Sequence, residues 1–266
     1  MKRLFATAAL LLAMGSISSA AIKTETVEYK HGDTTLKGFL AYDDASTDPR
    51  PAVVIVHEWW GLNDYVKRRA QDVARLGYVA FAADMYGDGK TTMDPKEAGG
   101  LSSAVKGDLT VELGRAQAAM DFVKSQPLVD AQRIAAMGYC FGGSVSLDMA
   151  RAGWPLAGVV SFHGALKTAR PAEAGKITAK VLVLHGADDP MVPAEEVLAF
   201  CDEMRAAKAD WYLTAYANAV HAFTNPDADK FGIPGVSYNQ AADRRSWEAM
   251  KDFFREVFRG AANGAQ

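Results

Sequence analysis

Residues 134–143 read Ile134-Ala135-Ala136-Met137-Gly138-Tyr139-Cys140-Phe141-Gly142-Gly143, a short apolar run ending in a Gly-x-Cys-x-Gly turn. The run Ile134–Met137 has the unbroken apolar character of a strand buried on both faces. The residues that follow the turn, Gly143–Arg151, have helical spacing. A strand that feeds a helix through so tight a turn needs small residues two places before and two places after its centre, and Gly138 and Gly142 supply them. Gly143 then lets the helix lie close to the strand. The central side chain stands at the carboxyl edge of a sheet, above a helix N-terminus that favours thiolate over thiol. That side chain is Cys140, the candidate nucleophile. A buried structural cysteine beside a glycine-rich turn is the competing reading, and the strand–turn–helix setting weighs against it.

The same alternation extends in both directions from the elbow. Thr24–Tyr29 and Leu36–Tyr42 read as an opening hairpin around His31-Gly32-Asp33, and Asp43–Arg50 as a polar connection. Ala52–Val56 and Tyr78–Ala82 are buried strands flanking a helix over Asp64–Leu76. Asp84–Gly107, rich in Gly, Asp, Thr and Pro, reads as a long loop with one helical turn. Leu109–Ser125 is helical. Beyond the elbow come strands at Leu156–Phe162, Val181–Leu184 and Trp211–Tyr216, a helix at Ala194–Ala207 and a closing helix at Gln240–Phe258. Strands alternating with helices imply right-handed crossovers, hence a mostly parallel, doubly wound sheet with helices on both faces. With the cysteine elbow this predicts an α/β-hydrolase fold in a single domain over residues 22–266.

In that fold the nucleophile is followed along the chain by an acid and then a histidine. The Val181–Leu184 strand runs into His185-Gly186-Ala187-Asp188-Asp189-Pro190-Met191-Val192-Pro193. Asp189 is the first choice of acid, well placed to accept the Nδ1 proton of a histidine, with Asp188 as runner-up. Of the five histidines only His221 follows both nucleophile and acid, which makes it the candidate general base. An oxyanion hole needs two backbone N–H groups. Phe141, next after the nucleophile, is expected to give one. Trp59, in the loop His57-Glu58-Trp59-Trp60-Gly61 after the Ala52–Val56 strand, is expected to give the other.

Several partial motifs fail. Gly89-Lys90-Thr91 lacks the leading glycine of a phosphate-binding loop, since Asp84 holds that position. His57-Glu58 opens like a zinc-protease helix, but no second histidine follows at the required spacing. The glycines of 138–143 do not have dinucleotide-binding spacing. No metal and no cofactor are expected.

Hydrophobic residues make up 49% of the 266 and charged residues 23%, an ordinary globular balance, and a net charge of −3 gives no reason to expect nucleic acid as partner. The N-terminus differs from this average. Lys2-Arg3, an apolar run Leu4–Met14 and small residues through Ala21 make a secretory signal peptide over residues 1–21, cleaved after Ala20 or Ala21. The apolar run is shorter than the ~20 residues a membrane span needs. The mature protein is expected to be exported, to a periplasm in a two-membraned bacterium, with no membrane attachment and as a monomer. Two cysteines, Cys140 and Cys201, are too few for a disulfide scaffold.

Taken together, these segments resemble the dienelactone hydrolase family over nearly all of the mature chain. The likeness rests on His57-Glu58-Trp59-Trp60-Gly61, Ala83-Asp84-Met85-Tyr86-Gly87, Gly138-Tyr139-Cys140-Phe141-Gly142-Gly143, Gly186-Ala187-Asp188-Asp189-Pro190-Met191-Val192-Pro193 and His221-Ala222-Phe223. The resemblance implies that Asp189, four residues before the proline of Val-Pro, is the acid. It also implies that Glu58 takes part in switching thiol to thiolate when substrate binds. The family's two substrate-carboxylate arginines are replaced here by Asp88 and Asn225. The expected activity is hydrolysis of small esters or lactones, of carboxymethylenebutenolidase type, through a Cys-His-Asp triad. A thiol redox or scavenging protein and a non-catalytic binding protein on a hydrolase scaffold are the alternatives.

Overall fold

The computed structural model describes residues 21–263, so nearly all of the expected leader at 1–21 lies outside the described residues. The chain opens with a hairpin of β1 (Ile22–His31) and β2 (Thr34–Asp43), in which His31 pairs with Thr34 across a two-residue turn. Gly32 takes φ 56° there, a left-handed conformation that glycine adopts without strain. Then follow β3 (Arg50–Val56), α1 (Asp64–Arg75), β4 (Val79–Ala83), α2 (Pro95–Lys106), α3 (Leu109–Lys124), β5 (Val129–Tyr139) and α4 (Phe141–Arg151). The chain continues through β6 (Gly158–Phe162), β7 (Lys180–Gly186), α5 (Ala194–Ala207), β8 (Trp211–Tyr216) and α6 (Gln240–Asn263).

The eight strands form one sheet in the order β1-β2-β4-β3-β5-β6-β7-β8, antiparallel at the hairpin end and parallel from β4 to β8. Alternate residues of β3 divide the core. Ala52, Val54 and Val56 pack with residues of α2 to α5, whereas Val53 and Ile55 pack with α1 and α6. This is the doubly wound α/β-hydrolase architecture expected from the sequence.

The sequence reading needs correction at residues 84–107. The segment expected to be loop with one helical turn contains α2, a helix of 12 residues. Asp94 caps it by accepting from the Lys96 N–H at 2.8 Å, and Pro95 occupies the first turn, where its missing N–H costs nothing. Gly99, Gly100, Ser102 and Ser103 dilute its helical signal. Burial of Ala98, and of Val105 in the core, compensates.

The topology also locates the crevice. From β3 the chain first winds to β4 on one side, and later to β5 on the other. Loops leaving the carboxyl ends of β3 and β5 therefore diverge, the usual place for a ligand in an open α/β sheet. Val56 is in register with Gly138, so Glu58 and Cys140 each lie two residues beyond the same rung.

Candidate active site

Cys140 sits between β5 and α4 with φ 53° and ψ −115°, a conformation costly for any residue bearing a Cβ. Its N–H donates to the Phe162 carbonyl at 3.0 Å and lies 3.2 Å from His163 Nδ1, which holds the strained turn from behind. The flanking glycines are sterically required. A Cβ on Gly138 would come 2.0 Å from the Gly142 carbonyl oxygen, and one on Gly142 would come 2.2 Å from the Val56 oxygen. Their absence seats the start of α4 directly on the end of β3. Phe141, first residue of α4, has no carbonyl four residues back within the helix to receive its N–H.

Two distant loops complete the cluster. His221 Nε2 lies 3.1 Å from Cys140 Sγ, and His221 Nδ1 lies 2.8 Å from Asp189 Oδ2. Asp189 is buried, and its other oxygen accepts from the Met191 N–H at 2.8 Å. Asp188 is exposed and makes no such contact, so the structure places Asp189 and not Asp188 against the histidine. Burial by itself would lower the His221 pKa. The Cys140 sulfur and the Asp189 carboxylate outweigh burial and hold it well above the ordinary imidazole value. A proton is thus retained on the ring between sulfur and carboxylate.

The third wall is the loop after β3. The Glu58 side chain is buried and its Oε2 accepts from Asn225 Nδ2 at 2.7 Å. Burial raises the Glu58 pKa from 4.5 to about 7, against the lowering influence of the Asn225 hydrogen bond and the nearby His221. Tyr86 Oη donates to the Trp59 carbonyl at 2.9 Å. The Trp59 N–H has no acceptor among the described residues. Trp60 lines the same loop, stacked on Phe231 at 4.4 Å.

A family model described as the dienelactone hydrolase family matches residues 36–258, well over half of the chain. The chain belongs to the dienelactone hydrolase family. It is accordingly a hydrolase of ester or lactone bonds. A putative carboxymethylenebutenolidase of Saccharolobus solfataricus is 30% identical, over 86% of this chain and 97% of its own. The solved structure of a dienelactone hydrolase-like promiscuous phosphotriesterase from metagenomic libraries is 43% identical. It covers 89% of this chain and 99% of its own, with a TM-score of 0.85. A putative dienelactone hydrolase from Klebsiella pneumoniae subsp. pneumoniae is similar in fold, with a TM-score of 0.74 at 23% identity over 88% of this chain and 99% of its own.

Within this dienelactone hydrolase framework, the two positions where the resemblance would put arginines have other surroundings. Asp88 is exposed, its N–H bonded to the Thr35 carbonyl at 2.8 Å. Asn225 is buried and occupied by Glu58. The pairing of Asn225 with Glu58 was not visible in the sequence. Nor was the support behind the elbow, where His163 Nε2 lies 2.7 Å from Thr224 Oγ1, itself 2.7 Å from Tyr65 Oη. Arg69 closes that chain, reaching Tyr65 Oη at 3.3 Å, the Thr224 carbonyl at 2.7 Å and Asp243. Burial and the neighbouring His221 push the His163 pKa well down, so His163 is neutral. Cys201 lies in α5 and is free, as is Cys140. Among the described residues no group of three or more His, Cys, Asp or Glu is arranged to hold a metal. No described helix is long and apolar enough to cross a membrane.

Proposed function

We propose that this chain hydrolyses small esters or lactones through a Cys140–His221–Asp189 triad and a thioacyl-enzyme. The observation that carries the reading is the unbroken line of contacts from Cys140 Sγ through both nitrogens of His221 to Asp189 Oδ2, at 3.1 and 2.8 Å. The Cys140 thiolate attacks the carbonyl carbon, forming a C–S bond and an oxyanion that the Phe141 and Trp59 N–H groups receive. Collapse breaks the C–O bond, and the leaving alkoxide takes the proton from His221 Nε2. His221 then accepts a proton from water as the resulting hydroxide attacks the thioester. The second collapse expels the Cys140 thiolate and releases the acid. These groups perform every step without a metal or cofactor.

Neutral substrates are the favoured class. With Asp88 turned to solvent and Asn225 holding Glu58, neither position offers a cation to a substrate carboxylate. The test is a panel of aryl esters, enol lactones with and without a carboxylate, and phosphotriesters, the last prompted by the 43% identical promiscuous phosphotriesterase. Wild type, Cys140→Ala and His221→Ala are compared. Loss of ester turnover in both variants supports the proposal, and full activity in Cys140→Ala refutes it. Export completes the proposal. A mature N-terminus at Ala21 or Ile22 in the periplasmic fraction supports it, and an intact Met1 in the cytoplasm contradicts it.

A further inference from the structure

His57, which the sequence offers only as the start of an incomplete metal motif, is fully buried just past the end of β3. Its ring has two polar partners, both of them backbone groups. Nε2 lies 3.2 Å from the Met85 nitrogen, and a peptide N–H can only donate, so Nε2 is bare. Nδ1 lies 2.5 Å from the Glu58 carbonyl oxygen, which can only accept, so Nδ1 carries the proton. One neutral tautomer satisfies both contacts, whereas an imidazolium would set an N–H against the Met85 N–H. Burial lowers the His57 pKa, in keeping with the neutral form. The Met85 N–H is itself fixed, because the loop folds around Asp84. The Asp84 carboxylate accepts from the N–H groups of Tyr86, Gly87, Gly89 and Lys37 at 2.8 to 3.0 Å.

The second contact matters for the reaction. In a planar trans peptide the carbonyl and the N–H point in opposite directions. Anchoring the Glu58 oxygen on His57 therefore sets the direction of the Trp59 N–H. On the other side of Trp59, Tyr86 Oη anchors the next carbonyl at 2.9 Å, so neither peptide plane is free to rotate. The imidazole also stacks on the Phe141 ring, at 5.8 Å and 22°, and meets the Tyr86 ring edge-on at 4.8 Å. One side chain thus meets the Phe141 ring and the carbonyl of the peptide that carries the Trp59 N–H. We infer that His57 is the positioning residue of the oxyanion hole, holding the Glu58–Trp59 peptide so that the Trp59 N–H meets the developing oxyanion. It exchanges no proton during turnover. The inference rests on the reading of Cys140 as the acyl-accepting nucleophile.

A pair of variants separates the two contacts. In His57→Asn the amide nitrogen replaces Nδ1 and keeps the bond to the Glu58 carbonyl. In His57→Gln the amide oxygen replaces Nε2 and keeps the Met85 N–H, leaving the Glu58 carbonyl only the longer 3.3 Å bond from the Gly61 N–H. For aryl-ester hydrolysis the Gln variant is expected to lose ~10 to 100-fold in kcat with little change in KM, while Asn retains most of the wild-type kcat. Iodoacetamide alkylation of Cys140 needs the thiolate but forms no oxyanion, so its rate is expected to stay at the wild-type level in both. Wild-type kcat in the Gln variant, equal losses in Gln and Asn, or alkylation falling with kcat would each overturn the inference. The wild-type protein supplies an independent check should either variant fail to fold. Histidine nitrogen NMR is expected to show Nδ1 protonated and Nε2 bare at His57, and the opposite tautomer refutes the inference. Failure of the underlying reading looks different: ester turnover surviving in Cys140→Ala overturns both.

Discussion

Glu58 is a buried carboxyl whose folded-state pKa is about 7, against an ordinary value of 4.5. Between those two pH values the folded protein binds a proton that the unfolded chain has released. Stability must therefore fall as pH rises through this window, because the native state holds the excess proton. At about 1.36 kcal/mol per pH unit the full cost is about 3 kcal/mol, reached above pH ~7. Glu58→Gln removes the ionisation while keeping the shape and an oxygen that still accepts from Asn225 Nδ2. The variant is expected to match wild type near pH ~4 and to exceed it by up to about 3 kcal/mol near pH ~8.5. Urea unfolding of both proteins across that range, with the slope m checked for constancy, measures the difference directly. Parallel stability profiles for the two proteins would refute the assignment of a raised pKa to Glu58, and with it the picture of a desolvated carboxyl held near His221.

Other consequences follow from the same contacts. Asn225→Ala removes a donor that lowers the folded-state Glu58 pKa, so the stability decline should extend to higher pH, and an unmoved upper end would contradict it. Asp189→Asn takes away the acceptor that orients His221 Nδ1, and kcat for ester hydrolysis should fall by ~10³ to 10⁴-fold in a protein of near-native thermal stability. Gly142→Ala would set a methyl 2.2 Å from the Val56 oxygen, 2.5 Å from the Val56 carbonyl carbon and 2.7 Å from the His57 oxygen, all of them backbone. Such overpacking should cost ~1 to 3 kcal/mol or more and displace the elbow, read as a lowered unfolding midpoint together with ~100-fold lower kcat.

What the sequence revealed is what local chemistry constrains. The elbow was legible because the steric demands at Gly138 and Gly142 act within a few residues of Cys140. Asp189 and His221 were legible because a sheet wound in one direction delivers its loops to the carboxyl edge in chain order, after β7 and β8. Asn225 and Glu58 are 167 residues apart, and no local pattern announces a hydrogen bond between them. His57 was judged by its spacing to other histidines, whereas the role inferred for it depends on two backbone groups, one of them 28 residues away at Met85. Helix α2 went unseen for another reason. Its two adjacent glycines and two serines argue against a helix, and the Asp94 cap and the burial of Ala98 and Val105 help to hold it.

The central claim is that Cys140 carries the acyl group. Rapid quenching of the wild-type protein during turnover of a slowly deacylating aryl ester, followed by peptide mass spectrometry, tests it most directly. The acyl mass is expected on the peptide containing Cys140, as a thioester released by hydroxylamine, and should accumulate in His221→Ala if acylation is forced with an activated ester. Acyl mass on another residue, or undiminished turnover with no mass on Cys140, would contradict it.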